Sequence, residues 1–222
     1  MDFSEIARHI IISAFPVLIA ITFHEVSHGF VANRLGDPTA RMMGRLTLNP
    51  IAHIDPIGTI VMPLMLIVLT NGQFVFGYAK PVPINPMNFK NPRKDMAVSA
   101  AAGPVTNILL AIASVVILRL AVIPLSSILP DSYIQTVLLP LKMILESSVV
   151  INVVLAAFNM IPIPPLDGGR VLIGFLPYKQ AASYSRIEPF GFIIVMLLIL
   201  SGVANSIIAP IINFILRLLQ LF

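Results

Sequence analysis

The chain has 222 residues, 57% hydrophobic and 11% charged, with no Cys and no Trp. A soluble domain of this length carries about a quarter charged residues, so the composition points to a polytopic membrane protein, and residues 1–222 read as one membrane-embedded domain because no long polar block remains for a second. Absence of Cys excludes disulfides and thiolate metal sites. The net charge of +4 comes from basic residues bordering apolar runs, a pattern of membrane topology and not of a nucleic-acid-binding patch.

Residues 7–33 ("ARHIIISAFPVLIAITFHEVSHGFVAN") read as one helix, kinked at Pro16. With Asp2 and Glu5 early and no small-residue cleavage site, the N-terminus does not read as a cleaved signal peptide. "RLGDPTA" breaks the helix at Gly36 and Pro38. In "GRLTLNP", Leu46 and Leu48 alternate with Arg45, Thr47 and Asn49, the period of a strand. "NPIAHIDPIG" follows as a loop.

Residues 57–70 are apolar but contain Pro63 and are short for a span, which suits a re-entrant segment. A polar, Pro-rich connection, "NGQFVFGYAKPVPINPMNFKNPRKD", leads to a second strong span at 97–124, opened by small residues that allow close helix contact. Residues 125–140 read as an outer loop, 141–161 as a third span, 189–203 as a fourth apolar segment and 205–222 as a fifth. The expected fold is all-α and polytopic, with about five to six membrane-embedded helical segments and a small re-entrant β-hairpin or loop region near the functional cluster.

That cluster lies in the first span. His24-Glu25-Val26-Ser27-His28 fits H-E-x-x-H. Four residues turn a helix by about 400°, so both imidazoles project from one face and offer two nitrogens to one metal ion. Glu25 sits about 100° from His24, within reach of the water a metal would activate. Alone the motif is weakly specific, and the bland alternative is a helix end whose polar residues reach for the interface. Ionisable residues within a span are costly, however, and functional by default.

Catalytic zinc usually takes three protein ligands. Position 34 is Arg, so no third histidine extends the motif, and no Glu lies between 25 and 146. The candidates are Asp37, His53, Asp55, Asp95, Asp131, Glu146 and Asp167. Asp167 leads, because it stands in "IPPLDGGR", where prolines free the backbone and Gly168 and Gly169 admit a neighbouring helix; His53 and Asp55 are the runners-up. Asp37 before Pro38 reads as a turn residue, Glu146 as an ion-pair partner of Lys142, and Met42-Met43 as apolar filler.

With H-E-x-x-H in an early span, "AAGPVTN" opening a middle span and "FNMIPIPPLDGGR" after a later one, the chain resembles the site-2 proteases, zinc metalloproteases that cut within membranes. The resemblance covers roughly residues 18–175, and "GYAKPVPINP" is similar to a segment of short microbial members. It implies one zinc ion held by His24, His28 and Asp167, Glu25 as general base, and Asn159 steadying substrate or oxyanion. It further implies a transmembrane protein as substrate, a lipid bilayer as surroundings and a prokaryotic cell membrane as location. Two departures stand out: the insert around 57–70 lengthens the gap between motifs, and there is no room for a PDZ or CBS module.

Ligands to one ion share one membrane depth. Asp167 returns to the side of His24 and His28 only if 57–70 turns back. Arg34, Arg41, Arg45, Lys80, Lys90, Arg93, Lys94, Arg170, Lys179 and Arg186 then share one face, which the positive-inside rule makes cytoplasmic. The strand-like "GRLTLNP" is expected to hold an unwound substrate at an exposed edge. A divalent-metal transporter would show inverted repeats and more than one polar span, and a catalytically inactive scaffold would not need Glu25.

Overall fold

The computed structural model describes residues 3–69 and 77–220, and regular structure among them is entirely helical. Helix α1 (Phe3–Leu35) contains Pro16 without breaking and closes at Gly36, whose φ of +113° lies in the left-handed region that glycine enters freely. A short α2 (Thr39–Met42) follows, then α3 (Met62–Leu69), entered through a π-helical turn at Pro56–Val61. The long helices α4 (Pro92–Ser126) and α5 (Asp131–Asn159) come next. The chain ends with α6 (Asp167–Phe175), α7 (Tyr178–Ser185), α8 (Glu188–Leu200) and α9 (Val203–Gln220).

Among the described residues, three helices are long and apolar enough to cross a membrane: Ala14–Leu35 of α1, then α4 and α5. A fourth span arises if α7 and α8, bent by 67°, count as one. Helix α4 is central and packs on α1, α5 and α6. Most of the small residues expected to open this span are buried there: Ala97, Ser99, Ala100 and Gly103. Lipid gives helices no hydrophobic reason to associate, so close contact between small residues supplies van der Waals packing instead. Helix α9 runs antiparallel to α5, since Ala204 and Ile208 pack with Ala157 near one end, while Leu219 packs with Val149 and Val153 further along.

Residues 131–138, expected in an outer loop, instead begin α5; the turn is confined to 127–130. Pro140 does not end the helix, because the π-helical turn Ile134–Leu138 lies just before it. The other two π turns, Pro56–Val61 and Leu118–Val122, likewise end two residues before Pro63 and Pro124. A widened turn accommodates the missing N–H and the ring clash that proline brings to an α-helix.

The short apolar segment leaves and returns to one place. Lys80 N–H donates to His53 O at 2.9 Å, Tyr78 N–H to Gly58 O at 3.0 Å, and Thr59 Oγ1–H to Tyr78 O at 2.8 Å. The excursion therefore makes no net crossing, as the depth argument required; residue 70 lies outside the described residues.

The expected β-hairpin is a correction: residues 45–49 form no ladder, and no strand occurs among the described residues. Local bonds take the donors at the two ends of this segment, Arg45 N–H going to Ala40 O and Asn49 N–H to Thr47 Oγ1. Across from them, Pro81, Pro83 and Pro86 have no N–H to give.

Asp37 is more than a turn residue. Fully buried, it accepts bonds from Thr39 N–H (3.1 Å), Asn85 N–H (2.7 Å) and Asn88 Nδ2–H (2.7 Å), tying the end of α1 to the Pro-rich connection. Burial alone would raise its pKa, but bonds from Asn88, Thr39 and Asn85 outweigh it and hold the carboxyl below its ordinary value. A depressed folded pKa contributes stability that is full above the unfolded value of 3.8 and is lost as pH falls through the folded one. Asp37→Ala should destabilise the protein by about 3–5 kcal/mol by orphaning buried donors. In melting curves in detergent, Asp37→Asn should lower Tm at neutral pH and blunt the fall in acid below about pH 4.

Candidate metal centre

Helix α1 places His24 and His28 one turn apart with their Nε2 atoms 3.0 Å from each other. Asp167, first residue of α6, brings Oδ2 to 3.1 Å from His24 Nε2 and 3.3 Å from His28 Nε2. The "DGGR" glycines make this possible: a Cβ on Gly168 would strike the Met160 carbonyl, and one on Gly169 the Ile163–Pro164 backbone. Two glycines thus let α6 start tightly against the turn after α5 and aim its first carboxylate at α1.

Both imidazoles have their tautomers fixed from behind. His28 Nδ1–H donates to the Ser99 carbonyl at 2.7 Å, and His24 Nδ1–H to Asn107 Oδ1 at 2.6 Å. Each neutral ring therefore presents a bare Nε2 lone pair to the centre. The third participant, Asp167 Oδ2, is buried and receives no hydrogen bond. Three acceptors facing one another at about 3 Å repel unless a cation lies between them. Tetrahedral zinc with bonds of about 2.0–2.1 Å separates its ligand atoms by about 3.3 Å, close to the spacing here.

Behind His24 a polar chain crosses the bundle. Asn107 Nδ2–H donates to Asn152 Oδ1 (2.8 Å) and to Ala20 O (3.3 Å), and Asn152 Nδ2–H to Ser148 O (2.8 Å). Both asparagines are fully buried. Such outer partners orient metal-binding histidines and raise ligand basicity. Sequence reasoning quoted "AAGPVTN" yet gave Asn107 no role and passed over Asn152; asparagines inside apolar spans were the available signal. The glycine of that motif, Gly103, brings α4 against the metal-facing edge of both rings.

Glu25 does not join the ligand set. Its Oε2 accepts from Val82 N–H at 2.8 Å. The remaining candidates serve elsewhere. His53 is buried and its Nε2–H donates to Thr47 O. Asp55 caps the turn at Pro56 by accepting from Ile57 and Gly58 N–H, Asp95 accepts from Asn91 N–H, and Asp131 opens α5. Glu146 faces Lys142 at 3.8 Å, the ion pair its spacing suggested. Met42 and Met43 are exposed and so are not core filler. Asn159 Nδ2–H donates to Leu155 O in its own helix at 3.0 Å.

Membrane-length apolar helices around a two-histidine, one-carboxylate metal site, with a glutamate beside the ligands, define a membrane-embedded metallohydrolase. The sequence model for peptidase family M50 matches residues 12–203. The chain belongs to that family, the site-2 proteases, and family and donor set together make it a zinc metalloprotease. It is 34% identical over 201 residues to YwhC of Bacillus subtilis, provisionally named a zinc metalloprotease, covering 89% of this chain and 84% of YwhC. Rip2 of Mycolicibacterium smegmatis, named in the same way, is 26% identical over 188 residues, 85% of this chain and 66% of Rip2. Rip2 of Mycobacterium tuberculosis (strain H37Rv) is 25% identical over 189 residues, again 85% and 66%. No solved structure matches the chain.

Proposed function

We propose that this protease hydrolyses peptide bonds in or near transmembrane segments of other membrane proteins, using zinc held by His24, His28 and Asp167 and Glu25 as its general base. The observation that carries the reading is the convergence of three buried acceptors inside an apolar helix bundle, next to a carboxylate outside the ligand set. Zinc bound there would supply Lewis acidity, lowering the pKa of water toward about 7 and polarising the scissile carbonyl.

The chain's own residues do the remaining work. Glu25 takes the proton of the attacking water and delivers it to the leaving amine nitrogen when the C–N bond breaks. Asn107 and Ser99 keep both Nε2 lone pairs on the metal side throughout. Asn159 precedes Met160, whose carbonyl packs against Gly168; from there its amide would donate to the developing oxyanion or the substrate backbone.

Depth and charge support an active site toward the cytoplasm of a prokaryotic cell. His28 lies about two turns before the end of α1, and the helix ends and connections that follow carry Arg34, Arg41, Arg45, Lys80, Lys90, Arg93 and Lys94. Water enters from that edge, so hydrolysis needs no water in the hydrocarbon centre. The test uses purified protein in liposomes with a reporter substrate containing one transmembrane segment. It should carry about one zinc per chain and cleave the reporter at or inside the apolar stretch. Metal-free protein, or cleavage confined to soluble peptides, would overturn the reading.

A further inference from the structure

Residues 80–85, "KPVPIN", form an extended strap across the Glu25 side of α1. Proline at 81 and 83 leaves Val82 as the one N–H donor among those three residues, and that donor goes to Glu25 Oε2 at 2.8 Å. The strap is fixed at both ends. At Lys80 it donates to His53 O and accepts from Arg45 Nη2, each at 2.9 Å. At Asn85 it donates to Asp37 Oδ2 at 2.7 Å. Between these anchors the buried Val82 side chain packs over Gly29, one turn beyond Glu25; a Cβ on Gly29 would lie 2.7 Å from Val82 Cγ1 and from Leu46 Cδ2. The backbone amide cannot withdraw without breaking the bonds that fix the strap at Lys80 or at Asn85.

We infer that this strap positions the general base, the Val82 amide holding one oxygen of Glu25 so that the other stays turned toward the attacking water. The inference rests on the reading of Glu25 as base. A free glutamate populates several rotamers, and a hydrogen bond that selects one makes each turnover begin from the productive geometry. The pinned amide does this without titrating and without touching the substrate. It also explains the sequence: flanking prolines remove competing donors and stiffen an extended backbone, leaving a single N–H where one is needed.

The experiment compares Val82→Pro, which deletes the N–H, with Val82→Ala, which keeps it, using the liposome reporter and measuring kcat, KM and zinc content. Val82→Pro should lower kcat by about 10–100-fold, the range of a lost hydrogen bond to a charged group, with KM and zinc unchanged; Val82→Ala should stay within about threefold. Equal kcat for the two variants overturns the inference, and so does faster cleavage by Val82→Pro, which would make the strap a plug. If Val82→Pro loses zinc through misfolding, Arg45→Met, which removes one of the two bonds at the Lys80 anchor, decides the question: kcat should fall with KM constant, and a rise in KM alone would refute the positioning role. Glu25→Gln run alongside separates the two readings. If that variant still cleaves, the base assignment fails; if it is inactive while Val82→Pro matches Val82→Ala, only the strap fails.

Discussion

Glu25→Gln should abolish cleavage of a transmembrane reporter while leaving zinc bound at the wild-type level. The expected loss in kcat is about 10²–10⁴-fold, the contribution of positioned general acid–base catalysis. The zinc should remain because all three convergent donors belong to other residues, His24, His28 and Asp167. Glutamine keeps an oxygen that can accept the Val82 N–H, so the strap has no reason to lift. Paired measurements of zinc by elemental analysis and of product by gel read both halves of the expectation. Retained cleavage would sink the hydrolytic mechanism. Loss of zinc together with cleavage would show that Glu25 helps to build the site and is not solely its base.

The two histidines and the glutamate were legible because helical periodicity converts spacing into direction: four residues place two rings on one face. Asp167 was legible for a different reason, a depth constraint that only a returning 57–70 segment satisfied, and the bonds between 53–59 and 78–80 supply that return. What escaped the sequence is carried largely by backbone. The Ser99 carbonyl on His28 leaves no mark in residue identity, and the Val82 N–H on Glu25 marks only its neighbours, Pro81 and Pro83. The strand reading of 45–49 failed because alternation of side chains does not reveal that local bonds will take the donors at both ends, Arg45 N–H and Asn49 N–H. The outer-loop reading of 125–140 failed from residue 131 onward, where a π turn ahead of Pro140 carries the helix past the proline.

The role of Gly103 emerges only from the assembled bundle, and it yields the other large effect. A Cβ built on Gly103 falls 2.5 Å from His28 Nε2 and 2.6 Å from both His24 Cε1 and His28 Cε1, against the faces that present lone pairs to the metal. The rings have nowhere to retreat. Swinging His28 away breaks its 2.7 Å bond to Ser99 O, and swinging His24 away breaks its 2.6 Å bond to Asn107 and leaves the buried Asn107 Oδ1 without that donor. Gly103→Ala should therefore lower zinc affinity by more than the 10–100-fold expected from loss of an outer partner alone, and cleavage should fall to background. For folding, alanine's better helix propensity, about 1 kcal/mol, opposes an overpacking cost of about 1–3 kcal/mol, so the change in stability should be small beside the loss of zinc. That contrast makes the variant informative: an intact melting profile with an empty site would assign Gly103 to metal access, whereas a full zinc complement in Gly103→Ala would show that the rings can relax and that the close approach of α4 is not what shapes the centre.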